Sequence, residues 1–230
     1  MASERGGLCG PGFLRPGTGN KGEEMKSQIH LIRHGITEGN QKKLYYGAAD
    51  IPLAEEGIAG LRELVEQGIY PQADGGDFYT TGMLRTEQTL AMVYGEVDHQ
   101  QIEELREMNF GQFEMKSYKE LKDVPEYAAW SGDETGWAES PGGESINGFG
   151  QRISEGLKIL IGRHRLKELS VRHSGKDAIT TLVCHGGTIA SIMEQNFPGE
   201  REHFYKWIPD PGHGFTLTLE DGEIVKYEEF

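Results

Sequence analysis

Two short runs, QIHLIRHG (28–35) and AITTLVCHGG (178–187), both end in a histidine followed by glycine. Each is a β-prone, largely apolar stretch that stops where a glycine lets the backbone turn, as a strand buried on both faces does on reaching its loop. Such strands belong to a mostly parallel sheet, because crossover helices cover both of its faces. DFYT (77–80) reads as another short strand. Segments 56–67, 84–94 and 144–161 read as helices; in the last, Ile146, Phe149, Ile153, Leu157, Leu160 and Ile161 recur at three- and four-residue steps. The tail GFTLTLEDGEIVKYEEF alternates around Asp221-Gly222 and reads as a closing hairpin. The expected fold class is therefore α/β, a mostly parallel central sheet covered by helices on both faces.

At 230 residues the chain suits one domain. Residues 1–26 are rich in Gly, Pro and charge without apolar periodicity and are expected to be a disordered leader, with Met25 as an alternative start; 27–230 would form the domain. Residues 112–143 break the strand–helix rhythm, holding Phe113, Tyr118, Tyr127, Trp130 and Trp137 among acidic residues, and are expected to be an insertion over the sheet and the active site. Those rings either pack the insertion onto the core or line a substrate pocket, since both uses bury aromatic area. Both readings stay open at this level.

Net charge is −14, so phosphates are repelled at long range, and neither nucleic acid nor an anionic membrane is an expected partner. No run of eighteen apolar residues occurs, and only Cys9 and Cys184 are present. A disulfide framework and a cysteine zinc site are both unsupported, and a reducing cytoplasm fits best. Cys184, inside an apolar run, is expected to be a small core residue.

In an open parallel sheet, ligands bind beyond the carboxyl ends of the strands, so the residues that follow the two runs come first. One run gives Arg33, His34 and Gly35; the other gives Cys184, His185, Gly186 and Gly187. The glycines permit close backbone approach, and a helix starting near Gly187 would aim its free N–H groups at the same place. Arginine supplies a planar fork for phosphate oxygens, while a neutral imidazole nitrogen can attack phosphorus. Arg85, after DFYT, and Glu107, in LREMNFG, are further candidates. Of the other histidines, His99, His164, His173 and His203 lie among charges and are expected to be solvated. His30 lies on a strand, and His213, between glycines, is a candidate for the pocket rim.

LIRHGIT with Asn40, GAADIPLAEEG, TGMLRTEQT, LREMNFGQFE, PGGES and LVCHGG occur in the order found in the histidine phosphatase superfamily, and the chain resembles its phosphoglycerate mutase-like branch over roughly 28–220. The resemblance implies that His34 takes the phosphoryl group and that Arg33, Asn40, Arg85 and His185, with the Gly186 backbone, bind its oxygens. It implies that Glu107 donates the proton. It also implies a phosphatase acting on a small phosphorylated metabolite without metal or other cofactor. EMNFGQFEM followed by Tyr127, Trp130, Trp137 and GGES is similar to alpha-ribazole phosphatases, which remove the 5′-phosphate of a cobamide precursor.

Three alternatives remain. A mutase of this family carries Glu after RHG and extra basic residues near the insertion; here Ile36 follows Gly35, and Lys119 and Lys122 are outnumbered by acidic residues. A non-catalytic phospho-ligand binder would not need the full reactive set. A metallohydrolase would need closely spaced ligands, and no HxH or HExxH occurs. A homodimer formed through the insertion is also left open.

Overall fold

The computed structural model describes residues 25–230, so the expected leader falls almost wholly outside the described residues. The first half of the chain runs β1 (Ser27–Arg33), α1 (Glu38–Gln41), β2 (Leu44–Tyr45), α2 (Glu55–Gln67), β3 (Asp77–Thr80), α3 (Leu84–Tyr94) and β4 (His99–Gln101). Next come β5 (Lys116–Ser117), α4 (Tyr118–Leu121) and α5 (Pro125–Ser131), then α6 (Ile146–Val171), β6 (Ala178–Cys184), α7 (Gly186–Asn196), β7 (Gly214–Glu220) and β8 (Glu223–Glu229).

The main sheet has the order β4-β3-β6-β1-β7-β8. β4, β3, β6 and β1 are parallel, and β7 and β8 close the sheet as an antiparallel hairpin. Asp221 and Gly222 take positive φ (50° and 80°), the conformation that a tight two-residue hairpin loop requires. β1 and β6 pair from Ser27↔Ala178 to Arg33↔Cys184, so their carboxyl ends finish side by side. The α/β fold with helices on both faces is the one expected from the two His-Gly runs.

The faces are unequal. On one, Ile29, Leu31 and Leu182 pack with Phe149, Ile153 and Leu160 of α6 and Ile189 and Ile192 of α7. On the other, Ile32 and Val183 meet Leu90 of α3, with Phe78 and Tyr94 beside them. Cys184 is fully buried, and burial pushes its thiol pKa up, as suits a core residue.

Two elements depart from expectation. β4, a short strand of polar residues, was not anticipated. α6 runs ten residues beyond 161, through the charged segment GRHRLKELSV. His164, expected to be solvated, lies there at 0 % exposure. Its Nδ1 accepts from the Thr180 hydroxyl (2.8 Å) and its Nε2–H donates to Ser27 Oγ (2.9 Å), whose own proton goes to Glu168 (2.5 Å). A charged-looking helix end is thereby tied to β1 and β6. His99, His173 and His203 are exposed, and His99 pairs with Glu87.

Within 112–143, Phe113, Tyr127 and Trp130 are buried against one another and against Tyr45 and Phe110, while Tyr118 and Trp137 stay exposed. The buried rings therefore pack. β5 pairs with β2 as a two-stranded ribbon outside the main sheet.

Candidate active site

Arg33 and His34 end β1, His185 follows β6, and Arg85 opens α3 just after β3, so all four stand beyond the carboxyl ends of adjacent parallel strands. The His34 N–H bonds the Cys184 carbonyl (3.0 Å), which joins the two strand ends directly. The His34 and His185 rings lie 5.3 Å apart, centroid to centroid.

His34 is buried, and its Nδ1 lies 2.7 Å from the Gly35 carbonyl oxygen. A carbonyl can only accept, so Nδ1 carries the proton and Nε2 keeps its lone pair. Burial, then the Arg85 charge, holds the ring well below its ordinary pKa despite the Gly35 bond. His34 is thus a neutral imidazole with a defined nucleophilic nitrogen.

His185 is fully buried and fixed as the opposite tautomer. Arg85 Nε donates to its Nδ1 (3.3 Å), so Nε2 carries the proton and donates to Thr81 Oγ1 (2.9 Å). The Thr81 hydroxyl reaches that of Thr86 (3.3 Å), which donates to the Met83 carbonyl (2.7 Å). Burial and then Arg85 hold His185 well below its ordinary pKa. In this arrangement neither ring nitrogen has an N–H to spare for an anion.

Arg85 is fully buried; Nη1 and Nη2 donate to the Ala49 (2.9 Å) and Gly47 (2.8 Å) carbonyls, and the guanidinium lies 5.2 Å from the centroid of the Tyr46 ring. Gly47 has to be glycine, since a Cβ there would collide with the Met108 carbonyl. Arg33 Nη1 donates to Pro209 O (2.7 Å), while its buried Nε has no partner. A side chain at Gly186 would press on that Nε, 3.1 Å from the position of a Cβ.

Asn40 caps α1 reciprocally with Thr37: its Oδ1 receives the Thr37 N–H (3.0 Å) and the Tyr46 hydroxyl (2.9 Å), which leaves its NH2 as the donor. Tyr46 stands edge-on to His34, 6.4 Å between ring centroids, and so links Asn40 to the centre.

Glu107 Oε2 accepts from the Gly187 N–H (2.8 Å) and Oε1 from Met108 N–H (2.9 Å). The N–H at the start of α7 that was expected to face an anion is therefore taken by a carboxylate. Burial raises the Glu107 pKa, outweighing those two bonds and the Arg85 and Arg33 charges. Arg152 holds the segment behind it, bonding the carbonyls of Glu104, Arg106 and Glu107 and both oxygens of Glu144. Beside Glu107 opens a cleft of about 450 Å³ with Ala48, Met83, Glu103, Arg106 and Asn109 on its walls. No aromatic ring lines it among the described residues.

His213, the rim candidate, has its Nδ1 at 3.0 Å from the Phe230 carbonyl oxygen. Sequence reasoning missed Tyr46, Thr81 and Arg152, which carry no motif of their own. Among the described residues no group of three or more His, Cys, Asp or Glu side chains is placed to hold a metal ion.

The model of the histidine phosphatase superfamily (branch 1) matches residues 29–227. The chain belongs to this family. Among its histidine phosphatase relatives, an adenosylcobalamin/alpha-ribazole phosphatase of Salmonella typhimurium is 33% identical over 139 residues, 58% of this chain and 66% of that protein. The chain thus spans just under two thirds of that relative. A 2,3-bisphosphoglycerate-dependent phosphoglycerate mutase of Rhizobium etli is 28% identical over 139 residues, covering 56% and 64%. The alpha-ribazole phosphatase structure from Shigella flexneri superposes with a TM-score of 0.65 at 23% identity, over 86% of this chain and 94% of that chain, a likeness of fold.

Proposed function

We propose that this member of the histidine phosphatase superfamily hydrolyses small phosphomonoesters through a phosphohistidine on His34. The observation that carries the reading is the His34 Nδ1–H bond to Gly35 O, which leaves Nε2 with its lone pair in the field of the buried Arg85 and the half-buried Arg33. Nε2 attacks phosphorus as the ester P–O bond breaks, and the leaving alkoxide takes the Glu107 proton. Water then attacks phosphorus, giving its proton to Glu107 as the P–N bond breaks, and His34 is regenerated with release of phosphate. Arg33, Arg85 and the Asn40 amide supply the fixed donors for the transferring oxygens. His185 joins them when an incoming monoanionic phosphate takes the Arg85 Nε–H and passes its own proton to the freed Nδ1, becoming a dianion beside an imidazolium.

Hydrolysis is favoured over mutase chemistry by the cleft. Both cations that line it are already paired, Arg106 with Glu103 (3.4 Å) and Arg152 with Glu144 (2.7 Å), and Glu104 stands beside them, so a second anionic group on the ligand meets carboxylates. Alpha-ribazole 5′-phosphate is the lead substrate on the strength of the named relatives; ring stacking by the insertion lends it no support, since Phe113, Tyr127 and Trp130 are packed away and the exposed Tyr118 and Trp137 do not line the cleft.

The test is hydrolysis of an aryl phosphate in excess EDTA at mildly acidic pH. Turnover that persists in chelator and falls below detection in His34→Ala is the expected result. Activity unchanged in that variant rules out the phosphohistidine.

A further inference from the structure

The Gly47–Ala49 loop shows its carbonyls to one side and its N–H groups to the other. The Gly47 and Ala49 carbonyls hold Arg85. The N–H groups of Gly47, Ala48 and Ala49 all converge on the Glu114 carboxylate, at 3.0 Å, 3.0 Å and 3.1 Å, and the Phe110 N–H adds a fourth bond at 2.9 Å. Glu114 lies just before β5, whose pairing with β2 (Tyr45↔Lys116), together with the Met115 N–H bond to Tyr45 O (2.7 Å), sets residue 114 opposite 47–49.

We propose that Glu114 is a positioning residue for phosphoryl transfer, fixing through the Gly47–Ala49 peptides the angle at which Arg85 meets the transferring group. This rests on the function proposed above. A carboxylate is the one side chain that accepts from four converging N–H donors at once, because an amide would set its own NH2 against them. By polarising the Gly47–Ala48 peptide on its N–H side, Glu114 strengthens the Gly47 carbonyl that grips Arg85 on the other, and by holding the neighbouring N–H groups it fixes the loop that presents the Ala49 carbonyl. An arginine aimed in advance needs no reorganisation when charge develops on the phosphoryl oxygens.

The experiment compares wild type with Glu114→Gln and Glu114→Asp, reading orthophosphate affinity by calorimetry, aryl phosphate turnover and cooperative unfolding. Both variants are expected to unfold cooperatively. Glu114→Gln should weaken phosphate binding and lower kcat by about tenfold or more each, as expected for mis-set charged hydrogen bonds, with Glu114→Asp between it and wild type. In an Arg85→Ala background, Glu114→Gln should add no further loss of phosphate affinity, since coupled residues are non-additive. Additive losses, unchanged phosphate affinity in Glu114→Gln, or loss of cooperative unfolding in both variants would overturn the proposal. Phosphate binding without turnover in the wild type would sink the hydrolytic reading alone, and the coupling to Arg85 would still decide the role of Glu114. A wild type that neither binds nor hydrolyses would remove both.

Discussion

A histidine attacks phosphorus only while one ring nitrogen is fixed as N–H and the ring stays uncharged, and in His34 the Gly35 carbonyl and burial supply these two conditions. In the proposed mechanism Glu107 needs the reverse bias: it must hold a proton to act as the acid, and burial raises its pKa. The signs set the pH profile. A depressed His34 stays neutral well into acid, and a raised Glu107 stays protonated up to its elevated value, so kcat/KM should hold at mildly acidic pH and fall as pH rises through the Glu107 pKa. Glu107→Gln should lose about 10²- to 10⁴-fold on alkyl phosphates but far less on p-nitrophenyl phosphate, whose leaving group needs little protonation; equal losses on both would remove Glu107 as the acid. At this scale the sequence was legible where chemistry sits at strand ends: Arg33, His34, Arg85 and His185 converge because parallel strands finish together. It was mute on Tyr46 and Thr81, whose work is done by a ring edge and a hydroxyl in ordinary loop sequence. The bond that occupies His185 Nδ1 is equally invisible without coordinates, since it depends on the reach of Arg85 from the next strand.

Among the elements, α6 shows why periodicity ends too early. Its apolar stripe fades after Ile161, yet the helix continues because polar residues bury there, His164 bonding Ser27 and Thr180 at the amino-terminal ends of β1 and β6. This network is at the far end of the strands from His34. His164→Ala strands the Thr180 hydroxyl and leaves a cavity, so a loss of about 3 kcal/mol is expected. The melting temperature should drop by roughly 6–12 °C, with kcat intact below the transition. A variant melting like wild type would show that the network contributes nothing. The three strands read from apolar runs and the hairpin read from Asp221-Gly222 were legible, because burial and turn stereochemistry write directly into residue type. β4 was not, since its three residues His99–Gln101 are polar and exposed. The aromatics of the insertion signalled burial without saying which or against what; Phe113, Tyr127 and Trp130 bury against each other, while Tyr118 and Trp137 stay exposed.

For the molecule as a whole, four buried histidines govern the response to acid. His30, His34, His164 and His185 all have pKa values below the ordinary 6.5, chiefly through burial, and His30 is brought to about 4. Between the unfolded and folded values the unfolded chain binds more protons, so their contribution is complete above about pH 6.5 and is lost as pH falls through the folded values. His30 alone accounts for about 3 kcal/mol by pH 4, at 1.36 kcal/mol per pH unit. Glu107, with its raised pKa, works in the opposite sense but is one group against four. Calorimetry from pH 7 to 4 should show a falling melting temperature, with a shallower slope in His30→Asn; a flat profile would mean that these rings do not titrate on unfolding. Activity is then bounded by Glu107 on the alkaline side and by stability on the acid side. The two rims of the six-stranded sheet carry one more consequence. β4 is three residues long, and β8 is studded with Glu223, Lys226, Glu228 and Glu229. A strand from another chain finds too few free backbone groups on the first rim and a row of charges on the second, so the sheet is guarded against edge-to-edge growth into aggregates and fibres.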